Sequence, residues 1–298
     1  MNNKKLSGLF YTAVLGVAVL SLGSCSEKKF NINGTITQAK DSVLYLENMS
    51  LNGPKAVDSV KLDENGNFEF KQKAPDAPEF YRLRIANQMV NLAVDSTESI
   101  TVKAAYPTMS ANYEVSGSEE CAKIRDLAYM QLALQRQVTA IANSPALGVE
   151  AVEDSVTKVL EVYKNKVKLN YIFKEPMKAY SYYALFQTIV LGNANILIFN
   201  PRSSKDDVKV FAAVATSWDT YFPKAERGLN LHNIAIEGMK NVRIAENNAR
   251  QTISADKVQV AGVIDIALTD NHGRVRKLTD LKGKVVLLDF QAFAAEGS

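Results

Sequence analysis

From Phe30 to Ala105 the apolar positions recur with a period of two. Tyr81, Leu83 and Ile85 alternate with Arg82 and Arg84, and Val90, Leu92 and Val94 alternate with Asn91, Ala93 and Asp95. Such alternation is the mark of strands with one buried face. Val60-Lys-Leu62 and Phe68-Glu-Phe70 flank Asn65-Gly66, two residues that tolerate the positive φ angles of a type I′ turn, so a hairpin is predicted there. Ala74-Pro-Asp-Ala-Pro78 reads as a break between strands. Adding Phe30 to Ile36, Ser42 to Leu46 and Ile100 to Lys103 gives about seven short strands, the spacing of a small antiparallel β-sandwich over residues 30–106.

Past Tyr106-Pro107 the period becomes helical. Ile124, Leu127, Leu134, Val138 and Ile141 share one face of a run opened by Ser118-Glu-Glu-Cys121. There Ser118 is suited to cap free N–H groups, and the two carboxylates suit the positive end of the helix. Asn143-Ser-Pro145 ends it. Val152, Val156, Val159 and Tyr163 mark a second helix bounded by Pro176. Phe211, Ala215, Trp218 and Phe222 mark another, announced by Ser203, Ser204, Asp206 and Asp207 and stopped by Pro223. Residues 113–250 are therefore predicted to be a helical region.

The first residues follow a different grammar. Lys4 and Lys5 precede an apolar run from Leu6 to Leu22, and Leu22-Gly23-Ser24-Cys25 follows. This resembles a bacterial lipoprotein signal peptide (residues 1–24) with its lipobox. A membrane-spanning signal anchor is the alternative, but a run interrupted by Gly8, Thr12, Gly16 and Ser21 is at the short limit for ~30 Å of hydrocarbon. The resemblance implies that Cys25 is the lipidated residue, that residues 25–29 are the tether, and that the membrane is a partner through acyl chains. Ser26 after the cysteine matches the pattern that sends such lipoproteins to the outer membrane, facing the periplasm.

At the other end stands Gly283-Lys-Val-Val-Leu-Leu-Asp-Phe290, led in by Leu278-Thr-Asp-Leu-Lys-Gly283 and by a hairpin-like Val263 to Arg276 segment. Residues 256–298 resemble the start of a thioredoxin-like domain of the TlpA/ResA and AhpC/TSA kind. That family places Cys-x-x-Cys shortly after such a strand. Here Gln291 stands at the usual tryptophan, and Ala295 and Ser298 occupy the two cysteine positions; neither forms a thiolate or a disulfide. The family-matching Asp289, whose role in the family is proton transfer to the resolving cysteine, has Ser298 at best as its client. The chain ends before the remaining strands of such a fold, which implies either a partial product or a tail docked elsewhere. Residues 30–106 in turn resemble the β-rich domain of unknown function that precedes thioredoxin-like domains in many envelope lipoproteins. The fold class expected is multidomain, α and β: an antiparallel β-sandwich, a helical middle region and an incomplete thioredoxin-like α/β start.

Composition narrows the functional classes. Removing residues 1–24 from 298 leaves 274, and takes the basic residues from 35 to 33 against 32 acidic, close to neutrality. A nucleic-acid binder would need a clustered basic face, so none is expected as a partner. Besides Cys25 the only cysteine is Cys121. At a helix start it has a reactive-thiolate reading, and a packing reading as a small buried side chain.

Other candidates have equally plain rivals. His232 and His272 have no acid, cysteine or third histidine at ligand spacing in the sequence, so no metal or cofactor is expected. Glu119 and Glu120 are adjacent and point in different directions on a helix, which favours capping over an acid pair. Tyr180, Tyr182 and Tyr183 have a sugar-binding reading and a core reading. Two functions remain: a non-catalytic, membrane-anchored envelope lipoprotein that binds an unidentified envelope protein or ligand, and a partial thiol-disulfide oxidoreductase. The degenerate positions Ala295 and Ser298 favour the first.

Overall fold

Eight strands occupy the first part of the described chain: β1 (Lys29–Thr37), β2 (Val43–Ser50), β3 (Gly53–Lys61), β4 (Asn67–Lys73), β5 (Glu79–Ile85), β6 (Gln88–Val94), β7 (Ser99–Ala105) and β8 (Tyr113–Ser116). The structure is a computed structural model that describes residues 28–202, 204–250 and 265–287. The chain divides into two compact units, Met1–Val242 and Arg243–Ser298.

The strands form two four-stranded sheets, ordered β4-β1-β7-β8 and β3-β2-β5-β6. The second is antiparallel throughout. In the first, β1 and β7 run parallel, with Ile32 opposite Ile100, so this sheet is mixed rather than antiparallel as expected. Phe30, Ile32, Phe70 and Ile100 from the first sheet share one buried cluster with Leu44, Leu46, Leu83 and Leu92 from the second. The alternation read from the sequence is what aims both sets at this common core.

The Asn65-Gly66 turn does not close a hairpin. β3 pairs with β2 in one sheet and β4 pairs with β1 in the other, so the turn carries the chain between sheets. Asp63 Oδ1 accepts from the backbone N–H groups of Asn65 and Gly66, both at 2.9 Å. Gly66 takes φ +66°, and a Cβ there would lie 2.0 Å from the Ile36 carbonyl oxygen. A turn forms here, but of its two central residues only Gly66 has a positive φ, so it is not the type I′ turn expected. The pairing was decided by the wider hydrophobic pattern, which puts Phe68 and Phe70 opposite β1 while Leu62 is buried beside β2.

Helices follow: α1 (Glu119–Ala142), α2 (Val149–Val167), α3 (Ala179–Leu185), α4 (Lys205–Tyr221) and α5 (Glu226–Arg250). Ser118 caps α1, accepting from Cys121 N at 3.3 Å, and Ser204 caps α4 through Asp207 N at 3.2 Å. A π-helical turn over Lys168–Ile172 ends α2. A hairpin of β9 (Thr188–Leu191) and β10 (Ala194–Leu197) interrupts the helical region, turning at Gly192-Asn193. Gln135 of α1 holds its edge: Oε1 accepts from Val190 N at 2.7 Å, and Nε2 donates to Val190 O at 2.9 Å.

The helices pack on the second sheet through a change of face. Phe80 and Ala93, cross-strand partners in β5 and β6, belong to the helical core with Leu127, Tyr182, Phe211 and Trp218. The next pair along the ladder, Tyr81 and Leu92, belongs instead to the core shared by the two sheets. The β5-β6 ladder is thus buried on both sides at its Phe80-Ala93 end, while Arg82, Arg84, Met89 and Asn91 keep the rest of that face partly exposed.

In the second unit, β11 (Ala267–Thr269) pairs with β12 (Val275–Lys277). Their turn holds His272, whose N–H donates to Asp270 Oδ1 at 2.9 Å. A 3-10 turn at Leu278–Leu281 follows. Residues 285–287 form no strand, and Val285 and Leu287 are fully exposed. The strand expected from Val285 onward is absent over these described positions, where a central strand would need a bonded neighbour on each edge.

Candidate functional site

The cleft of greatest chemical interest in the first unit lies beside the face of β5 and β6 that meets the helices. It has a volume of about 530 Å³, within the ~300–1,000 Å³ of small-molecule sites. Phe80, Tyr182, Tyr183 and Phe186 supply its aromatic wall, and Asn91, Gln131, Gln187 and Asn230 its amides. Met49, Ser50 and Leu51, where β2 ends, and Arg227 of α5 complete one side.

Alternation in β6 aims Asn91 and Ala93 away from the sheet-to-sheet core, and α3 sets Tyr182 and Tyr183 opposite. Tyr182 is packed against Phe80 (ring centroids 5.3 Å apart), Phe186 (4.9 Å) and Trp218 (4.9 Å). Such clusters hold rings rigidly at little entropic cost. Burial pushes the Tyr182 hydroxyl pKa up against the opposing influence of Arg227 and Asn230. Burial likewise raises Tyr183, with Asn91 opposing it; Asn91 Nδ2 donates to Tyr183 Oη at 3.2 Å.

An amide chain forms the back of the cleft. Tyr163 Oη donates to Gln187 Oε1 at 2.7 Å, while Gln187 Nε2 donates to Leu127 O at 3.0 Å and to Gln131 Oε1 at 3.1 Å. Gln131 Nε2 in turn donates to Thr188 O at 2.7 Å. Satisfied networks of this kind fix side chains in one orientation. Arg227, 6 % exposed, donates to Glu79 Oε2 through Nη2 (2.9 Å) and Nε (3.1 Å), and through Nη2 to Met49 O. Its guanidinium carbon lies 5.0 Å from the Phe80 ring centroid. Its charge is thus balanced within the wall.

The residues singled out in the sequence fall in several places. Tyr182 and Tyr183 line the cleft, whereas Tyr180 is core and donates to Glu175. Cys121 is fully buried, its Sγ donates to Ala93 O at 3.2 Å, and burial pushes its thiol up to about 12. The packing reading of Cys121 is therefore the one the geometry supports, and the helix start does not make it a thiolate. Glu119 is exposed and Glu120 buried. Glu120 accepts from Tyr180 N at 3.1 Å and pairs with Lys178 at 3.2 Å, so it ties α1 to the start of α3.

His232 Nδ1 lies 2.8 Å from Asp219 Oδ2, an acid brought close by α4 that sequence spacing did not show. Among the described residues no group of three His, Cys, Asp or Glu is placed to hold a metal ion. Cys25, Asp289, Ala295 and Ser298 lie outside the described residues. Sequence reasoning missed Phe80, Asn91, Gln187 and Arg227. Phe80 breaks the alternation of β5, which was its one visible signal; Arg227 looks like any solvent-facing arginine at a helix start.

A family described as a domain of unknown function, DUF4369, matches residues 30–123, which span all eight strands and the first residues of α1. No curated protein and no solved structure matches the chain. Among the described residues no helix is long and apolar enough to cross a membrane.

Proposed function

We propose that this chain is a lipid-anchored envelope protein that binds a ligand in the cleft between β5-β6 and the helices. On this reading the two sheets form a β-sandwich, Cys25 carries the acyl chains at the outer membrane, and residues 256–298 are a thioredoxin-like start without its cysteines. The observation that carries the binding role is the cleft itself: preformed, aromatic and amide-lined, with its one cation already neutralised by Glu79. Cys121, buried and strongly disfavoured as a thiolate, supplies no thiol chemistry from the described residues.

The binding role is tested by thermal unfolding of the full chain with a small-molecule extract of the cell envelope. The extract should raise the midpoint of the wild type, and leave unmoved an Asn91→Trp variant whose cleft is filled. No shift in either protein overturns the binding role. The anchor is tested separately: Cys25→Ala should abolish partition into detergent, and unchanged partition sinks the lipoprotein reading.

A further inference from the structure

The chemistry of the cleft wall selects among ligands. Among the described residues the ionised groups at the wall are Arg227 and the nearby Glu79, which neutralise each other, and Arg227 is further held by Met49 O. A charged ligand would therefore find no free counter-charge and would leave its own charge desolvated and unpaired. A purely apolar ligand fails for the opposite reason. It would cover the polar atoms of Asn91, Asn230 and Tyr183 that line the cleft and give them no hydrogen-bond partner, at a cost on the order of 1–3 kcal/mol for each group stranded.

Tyr183 Oη accepts from Asn91, and among the described residues it has no acceptor for its own proton. A hydroxyl has one donor and two acceptor sites, so this pair presents a donor flanked by an amide. Tyr183 and Phe186 are half-buried and show part of their surface to the same space. An extended peptide is read mainly through unpaired strand edges. Here β5 is bonded on both sides by β2 and β6, and β6 ends its sheet; along that outer edge Met89 N–H is taken by Ser110 Oγ and Ala93 O by Cys121 Sγ, so the cleft offers mainly side chains.

We infer that the cleft takes a neutral saccharide, with a sugar ring laid against Tyr183 and Phe186 and its hydroxyls bonded to Asn91, Asn230 and the Tyr183 Oη. A sugar ring joins an apolar C–H face to a rim of uncharged hydroxyls, which is the complement of this wall. The assignment rests on the binding role proposed above.

The full chain, held in a detergent without a sugar headgroup, would be titrated calorimetrically with maltohexaose, cellohexaose and chitohexaose, and with a capped uncharged hexapeptide. Trp218 is the chain's only tryptophan and is packed on Tyr182, so its emission gives a second reading. At least one hexasaccharide should bind, and Tyr183→Phe should weaken it roughly five- to ten-fold through loss of one hydrogen bond. Asn91→Ala should do the same, which keeps the test open if one variant folds poorly. Failure of all three saccharides, or wild-type affinity in both variants, overturns the assignment. If the hexapeptide or the envelope extract acts on the cleft while the saccharides do not, the saccharide assignment falls and the binding role stands.

Discussion

Arg227 at the start of α5 closes on Glu79 at the start of β5, with Nη2 2.9 Å from Oε2, across 148 positions of sequence. The pair and the Arg227 bond to Met49 O join the β-rich part and the helices at the rim of the cleft. Arg227→Ala should destabilise the protein by about 2–4 kcal/mol, because it strands a partly buried carboxylate and removes a cation from the Phe80 face. Urea unfolding measures this. A loss below about 0.5 kcal/mol, the level of an ordinary surface change, would mean the pair holds nothing.

Cys121 should resist alkylation in the native protein and react once the chain is unfolded, since only a thiolate attacks and burial holds the thiol at about 12. Cys121→Ser should cost about 1–3 kcal/mol from placing a more polar group in a dry site. Disulfide reduction by the wild type that vanishes in Cys121→Ser would make this residue catalytic.

Two carboxyls, half-buried Glu98 and buried Glu120, set a slope of stability against pH. Burial raises the pKa of Glu98, against a backbone bond from Asp95 and the Ser118 hydroxyl, and raises that of Glu120, against Tyr180 N–H and Lys178. Between the ordinary carboxylate value and these raised values, the folded state holds more protons than the unfolded one. Their contribution to stability therefore falls as pH rises through that window. Glu98→Gln with Glu120→Gln should flatten the slope measured by urea unfolding at successive pH values; an unchanged slope would contradict this.

Glu47 acts in the other direction. Burial would raise its carboxyl, but the hydrogen bonds from Arg82 and Arg84 outweigh it and hold the pKa below the ordinary value. Its contribution is present above the ordinary carboxylate value and is lost as pH falls through the lowered one. Glu47→Gln should lower stability at neutral and alkaline pH, where the ion pairs with Arg82 and Arg84 are lost, and flatten the further loss on the acid side; urea unfolding at successive pH values measures both, and an unchanged acid slope would contradict this.

Gly66→Ala should cost about 1–3 kcal/mol, because φ is +66° and the added Cβ would meet the Ile36 carbonyl at 2.0 Å. The loss is read from thermal or urea unfolding. A neutral substitution would show that the crossing between the sheets relaxes freely.

The strands were legible because Leu83, Ile85, Val90 and Leu92 keep a period of two, and Ser118 and Ser204 announced their helices. Pairing was less legible. Asn65-Gly66 encodes a turn but not which strands flank it in a sheet, and the β9-β10 hairpin is too short for its period to stand out beside helices. Of the cleft, only Tyr182 and Tyr183 were visible. Asn91 and Arg227 gain their roles from partners far away in sequence, and Phe80 from a second buried face that a one-sided strand does not announce.

Ligand binding in the cleft is tested most directly by amide hydrogen exchange of the full chain with and without the envelope small-molecule extract. Protection should rise in β6 (Gln88–Val94) and in α3 (Ala179–Leu185), and should disappear in Asn91→Trp. Protection confined to other segments, or the same protection in the filled variant, would show that the cleft is not where this protein binds.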